Sequence, residues 1–233
     1  MQELPPGLDL LWGRRESPRR ERRGGLSVER IVAAAIELAD ADGLEAVSMA
    51  RVAERLGFTA MALYRHVSGK DELLVLMQDA AVGAPPEWED SLQGWRPQLE
   101  RWCTDLLDVM NRHPWWLYVP ISPPPPTPSQ MLWLDRGLQA LAGTPLHEGD
   151  KAAVMLMLNG LVAWEARLTA ELSIEPQIVY AQVAASLVDD ERFPALGRAV
   201  AAGIFEDDSH DADFVFSLQV ALDGVERLIQ ASK

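Results

Sequence analysis

The sequence contains one cysteine in 233 residues, Cys103. That excludes an internal disulfide framework and any zinc site built from several cysteines. The four histidines, His66, His113, His147 and His210, are scattered, and no HExxH, P-loop, GxSxG or GxGxxG pattern occurs. No basic run opens the chain, so a signal peptide is not expected. The longest apolar stretch, Ala152 to Ala166, is interrupted by Asn159, Gly160 and Glu165. It falls short of the ~20 residues a membrane span needs. No alternating apolar/polar run of strand length appears, nor any internal repeat. The expectation is a soluble, cytoplasmic, all-α protein that calls for no cofactor and no metal.

Net positive charge is also missing: the chain carries −14. The deficit is uneven, however. Residues 1–70 hold 11 Lys/Arg against 10 Asp/Glu, whereas residues 71–233 hold 10 against 25. Arg14, Arg15, Arg19, Arg20, Arg22 and Arg23 lie within ten residues of one another. A near-neutral module with a basic arm, joined to an acidic body, can meet phosphate with one end only.

Helical periodicity begins at Ser27. Ile31, Ala34, Ala35, Leu38 and Ala39 recur at three- and four-residue steps until Gly43. Ser48 opens a short helix with Val52, Ala53 and Leu56 inward, ending at Gly57, and Thr59 caps another that carries Leu63 and Tyr64. Ser68 reads as the N-cap of a fourth helix with Asp71 at its third position, continuing through Leu73, Leu74 and Met77 to Gly83. Beyond it the spacing predicts helices over about 91–111, 129–142, 146–172, 176–189, 194–202 and 211–231. The six prolines of Pro120 to Pro128 read as an extended linker.

Residues 48–66 are the informative segment. Two short helices that cross steeply need a small residue at the contact, here Ala53, and a left-handed turn, here Gly57. Val52, Leu56, Phe58 and Leu63 would fill the wedge between them. The second helix would expose Thr59, Ala60, Met61, Ala62, Arg65 and His66. An ordinary pair of core helices would share this pattern. The whole run 27–74, SVERIVAAAIELADADGLEAVSMARVAERLGFTAMALYRHVSGKDELL, adds more specific pieces. Asp42-Gly43, Ser48, Val52-Ala53, Leu56-Gly57, Leu63-Tyr64, His66-Val67 and Lys70 to Leu74 together resemble the DNA-binding domain of the TetR/AcrR family of transcriptional regulators. The C-terminal stretch FSLQVALDGVERLI, Phe216 to Ile229, looks like the last helix of the tetracycline-repressor class.

The resemblance implies a division into a basic, flexible arm (1–26), a helix-turn-helix DNA-binding domain (27–83) and a ligand-binding and dimerisation domain (84–233). It implies that Thr59, Ala60, Met61 and Ala62 face base edges in the major groove, and that Ser48, Tyr64, His66 and Lys70 meet phosphates. Ala50 stands where many members carry a polar or basic residue, and neighbouring Arg51 is the substitute. Thr59 to Ala62 offer one hydroxyl and no bidentate donor, so apolar contact with thymine methyls remains for base reading. The arginine run then becomes a candidate for an adjacent minor groove. Its removal with residues 1–23 is expected to leave the fold intact, because no apolar periodicity lies there.

In the body, Ala152 to Trp164 is apolar nearly all round, which implies burial on both sides. The last helix has two apolar stripes, Phe214, Leu218, Ala221, Val225 and Leu228 on one and Val215, Leu222 and Ile229 on the other, with Gly224 permitting close approach. The family pairs these two helices across a two-fold homodimer interface. Between them lies a group rich in tryptophan and methionine that suits an adaptable apolar pocket. The candidates are Trp102, Met110, Trp116, Tyr118, Trp133, Met157 and Trp164, with Asn159 to orient a ligand. The expected function is a ligand-responsive transcriptional regulator, a repressor released from palindromic operator DNA by a small apolar effector. An architectural DNA-binding protein without effector, or an all-α enzyme carrying a DNA-binding domain, are the other readings. The acidic cluster Asp207, Asp208, His210, Asp211 and Asp213 reads as a helix start rather than a cation site.

Overall fold

Caps and left-handed glycines divide this chain into helices. Ser27 accepts a hydrogen bond from the Arg30 N–H and starts the first long helix, and Gly43, at φ +80°, ends it. The computed structural model describes residues 7–15, 25–89, 91–119, 126–172, 183, 186–189, 191–203 and 210–232. Their helices are α1 (Leu8–Leu11), α2 (Val28–Asp42), α3 (Met49–Leu56), α4 (Ala60–Leu63) and α5 (Lys70–Val82), then α6 (Trp95–Arg112), α7 (Pro128–Ala140), α8 (Glu148–Leu172), α9 (Pro194–Ala201) and α10 (His210–Ala231). Single 3-10 turns cover Leu44–Ala46 and Pro114–Tyr118. Among the described residues there is no strand, and the fold is all-α. None of these helices is long and apolar enough to cross a membrane. The helix expected over about 176–189, most of the proline linker and the acidic cluster at 207–211 lie largely outside the described residues.

Two helix starts differ from the sequence reading. α6 begins at Trp95 rather than Ser91, after Gly94 at φ +88°. Pro97 explains the delay, since a proline is tolerated in the first turn but not deeper in a helix. α5 begins one residue later than expected, with Gly69 as its N-cap. Ser68 lies outside the helix and donates, through its N–H and its hydroxyl, to the Glu72 carboxylate. Glu72, not Asp71, therefore occupies the third position that reaches back.

Two apolar cores form. In the first, Ile31, Ala35 and Leu38 of α2 meet Val52 and Ala53 of α3, Leu63 of α4, and Leu73, Leu76 and Met77 of α5. In the second, Leu99, Trp102 and Leu106 of α6 and Trp133 of α7 meet Val154, Met155, Leu158 and Val162 of α8. α10 closes this core with Phe214, Leu218, Leu222, Val225 and Ile229. The sequence reading of α10 needs correction: Leu222 and Ile229 belong to the inner stripe, while Leu228 joins Val215, Phe216 and Val220 on the outer one. At α7, Met155 packs so closely over Gly137 that any side chain there would collide with its thioether.

The cores meet at residues 113–119, which follow α6 in the body but pack into the N-terminal core. Trp115 and Val119 are buried there, and half-buried Trp116 touches both cores. Asp40 of α2 accepts hydrogen bonds from Trp115 Nε1 at 2.7 Å and His113 Nδ1 at 2.9 Å. Ser129 N–H at the start of α7 donates to Asp79 of α5, and Trp133 Nε1 donates to the Gly83 carbonyl. Gly83 ends α5 in sequence, but the packing continues across it.

The arm also needs correction, because residues 7–15 are folded. Gly7, at φ +90°, brings the chain against Glu72 and Val75 of α5. Leu8 is 1% exposed, and burial of such a side chain contributes about 2 kcal/mol. Arg15 pairs with Glu72, whose side chain is itself 1% exposed. Burial pushes the Glu72 carboxyl up, but hydrogen bonds from the Ser68 hydroxyl and N–H, together with Arg15, outweigh it and hold the carboxyl below its ordinary value. The apolar residues here are too few to show a period, which concealed this contact from the sequence. Leu8→Ala should therefore lower the thermal midpoint by about 4–8 °C, at roughly 2–4 °C per kcal/mol for a chain this size. A lowered carboxyl pKa adds stability above the ordinary glutamate range and loses it as pH falls. Below about pH 4.5 the wild-type midpoint should fall more steeply with acid than that of Glu72→Gln.

Candidate nucleic-acid interface

α3 and α4 are built from local devices. Ser48 accepts from the Arg51 N–H and caps α3. Gly57 adopts φ +74°, and the Phe58 and Gly57 N–H groups donate to the Ala53 and Glu54 carbonyls, a Schellman closure. Thr59 caps α4 by accepting from the Ala62 N–H. Val52, Ala53 and Leu63 are buried in the wedge, whereas Phe58, expected there, is 37% exposed.

The outward face differs in part from the expected one. Met61 is 70% exposed, and Thr59, Tyr64, Arg65 and Lys70 are also exposed. Ala60 and Ala62 are half-buried and pack against the N-terminal core, because only one side of a four-residue helix can face outward. His66 is half-buried, and its Nδ1 lies in the interior without a hydrogen-bond partner among the described residues. Arg51, the substitute for Ala50, forms an ion pair with Asp42 at 2.7 Å with both side chains about half exposed. A phosphate would have to compete with that carboxylate. Arg65 is not among the residues the resemblance implies, yet it is an exposed cation beside Tyr64; its place one residue after an exposed aromatic is the available signal. Lys70 sits at the first position of α5, where unpaired N–H groups favour an anion.

The eight body residues are not brought together. Trp102, Met110 and Trp133 are buried in the second core. The Trp102 and Trp133 rings meet edge to face at 6.0 Å, and Trp102 Nε1 donates to the Trp133 carbonyl. Trp116 is adjacent to this core, and its indole N–H is buried without a partner among the described residues. Tyr118 is exposed, with the Arg167 guanidinium over its ring at 5.6 Å. Met157, Asn159 and Trp164 (61% exposed) lie on the outer side of α8. Periodicity could not separate them from Met155 and Leu158, since both sides of α8 are apolar. A cleft of about 310 Å³ runs between Trp88, Gln98, Arg136 and Gln139; none of the eight residues lines it. Cys103 is chemically quiet, since burial and the charge of Glu100 push its thiol up to about 12.

The chain matches two family models over most of its length. Residues 31–77 match the tetR family of bacterial regulatory proteins, and residues 87–229 match the tetracyclin repressor-like C-terminal domain. It is 36% identical over 240 residues to the HTH-type transcriptional repressor DrrR1 of Streptomyces coeruleorubidus, covering 95% of this chain and 85% of that one. Among solved structures it resembles apo ActR from Streptomyces coelicolor at a TM-score of 0.76 and 27% identity, covering 89% of this chain and 98% of ActR. ActR in complex with actinorhodin matches at 0.74 and 27%, covering 88% and 99%. The exposed α4 turn on a helix-turn-helix, the second helical core behind it and these matches have one reading: the chain belongs to the TetR family of DNA-binding transcriptional regulators.

Proposed function

We propose that this protein is a cytoplasmic, homodimeric repressor that binds a palindromic operator and is released by a small apolar effector. The observation that carries the DNA-binding part is the exposure of Met61, Tyr64, Arg65 and Lys70 on and after α4, beside the buried wedge of Val52, Ala53 and Leu63. Met61 and the Thr59 methyl would meet thymine methyls, while Tyr64, Arg65 and Lys70 would hold phosphates.

Dimerisation is supported by the unpartnered outer sides of α8 and α10. Leu156, Trp164, Val215, Phe216, Val220 and Leu228 are more than half exposed. A Cβ at Gly160 or Gly224 would have open space, so a partner helix can come close to either. Two such helices from each subunit make a self-complementary two-fold contact.

The effector site is best placed around Trp102, Met110, Trp116 and Trp133 rather than on the outer side of α8. The Trp116 N–H, buried without a partner among the described residues, costs stability unless an acceptor arrives, so an apolar effector carrying a carbonyl or similar acceptor fits. The structure of ActR in complex with actinorhodin supports a bound small-molecule effector.

Replacing Tyr64 and Lys70 together with alanine should weaken binding across duplex sequences. It should also flatten the slope of log K against log[salt], by about one unit for each phosphate no longer held. Equal binding by this variant at every salt concentration would remove α4 and α5 from the interface. Gly224→Arg should yield monomers in sedimentation and strongly reduce operator binding. A wild type that sediments as a monomer at micromolar concentration would contradict the paired half-site reading.

A further inference from the structure

The Trp12, Arg15 and Glu72 contacts are used neither by the DNA face nor by the effector core. Residues 9–15 close on themselves: the Asp9 carbonyl accepts from the N–H groups of Arg14 and Arg15, and its carboxylate meets Arg15 Nε at 3.5 Å. This hook holds both domains. Trp12 Nε1 donates to the Pro126 carbonyl at 2.9 Å, one residue before Thr127, the fully buried N-cap of α7. Three residues on, Arg15 grips one oxygen of Glu72, whose other oxygen accepts from the Ser68 N–H at 2.6 Å and from the Ser68 hydroxyl. Ser68 immediately precedes Gly69 and Lys70.

We infer that residues 7–15 are a strap that transmits the state of the body to the phosphate-holding turn at Ser68–Lys70. The inference rests on the DNA-binding reading proposed for this face. A shift at the start of α7 moves the Pro126 carbonyl. Trp12 follows it, the hook moves as a unit because Asp9 closes it, and Arg15 then holds or loosens the carboxylate that fixes Ser68. Arg15 and Trp12 are positioning residues, since neither is placed on DNA. The strap also explains why Glu72 is fully buried at the start of a helix whose neighbours Asp71 and Lys70 are exposed: its second oxygen has a partner from outside the helix-turn-helix.

Two variants test this, Trp12→Phe, which keeps an aromatic ring but removes the indole N–H with its five-membered ring, and Arg15→Gln. Amide exchange at Ser68 is followed in the DNA-free protein, and affinity is measured for mixed-sequence duplex DNA. Trp12→Phe, although it changes a contact with Pro126, should speed exchange at Ser68 as Arg15→Gln does. Each should lower duplex affinity by about 2- to 30-fold, the range for residues along a coupling path. The double variant should be no weaker than the weaker single, because both act through one route. Unchanged Ser68 exchange in Trp12→Phe, or affinity decreases that simply multiply in the double variant, would overturn the strap. A wild type that does not bind mixed-sequence duplex would instead overturn the DNA-binding reading, and Ser68 exchange would still decide the strap.

Discussion

One carboxylate fixes how the two halves of this protein meet. Asp40 accepts from both Trp115 and His113, and so pins a segment of the body inside the N-terminal core. Trp115 and Val119 then supply apolar volume to that core. Without this segment α2 would lack part of the surface that supports α3 and α4. α4 is four residues long and cannot persist alone, because the first turn of a helix is unfavourable without packing. Its orientation is set by the platform beneath it, and the platform is partly built from the body. A change in the body that shifts residues 113–119 must therefore be felt at α3 and α4.

α5 provides the second connection. Its start bears Lys70 and is fixed by Glu72, while its far end passes Gly83 to Trp133. Asp79, between them, holds the start of α7. The second core thus touches the same helix that bears Lys70 in its first turn. TetR-family regulation requires two arrangements with different affinity for DNA, and these contacts are where the arrangements would differ. The acidic excess of residues 71–233 disfavours phosphate along that part of the molecule.

Much of the helix-turn-helix is legible in the sequence because its determinants are local. Ser48 and Thr59 cap helices within three residues, and Gly57 takes the left-handed conformation that its spacing from Ala53 demands. What lies hidden depends on distant partners. Ser68 is a natural N-cap by type, but Glu72 draws it out of the helix, and Glu72 is held by Arg15, 57 residues away. Asp40 and Trp115 are 75 residues apart. Leu8 lies in a helix too short to show a period. In the body, an apolar pattern on every side of α8 does not say which stripe meets its own core. Met157, Asn159 and Trp164 therefore look alike in sequence to residues from which the fold separates them.

Through the shared segment the two halves should unfold as one cooperative unit. Calorimetric unfolding of wild type and of Asp40→Ala, at equal protein concentration, tests this most directly. The account predicts one transition for wild type, with calorimetric and van't Hoff enthalpies in agreement. In Asp40→Ala it predicts an earlier, separate transition for the N-terminal helices. Two wild-type transitions that the substitution leaves where they were would contradict it.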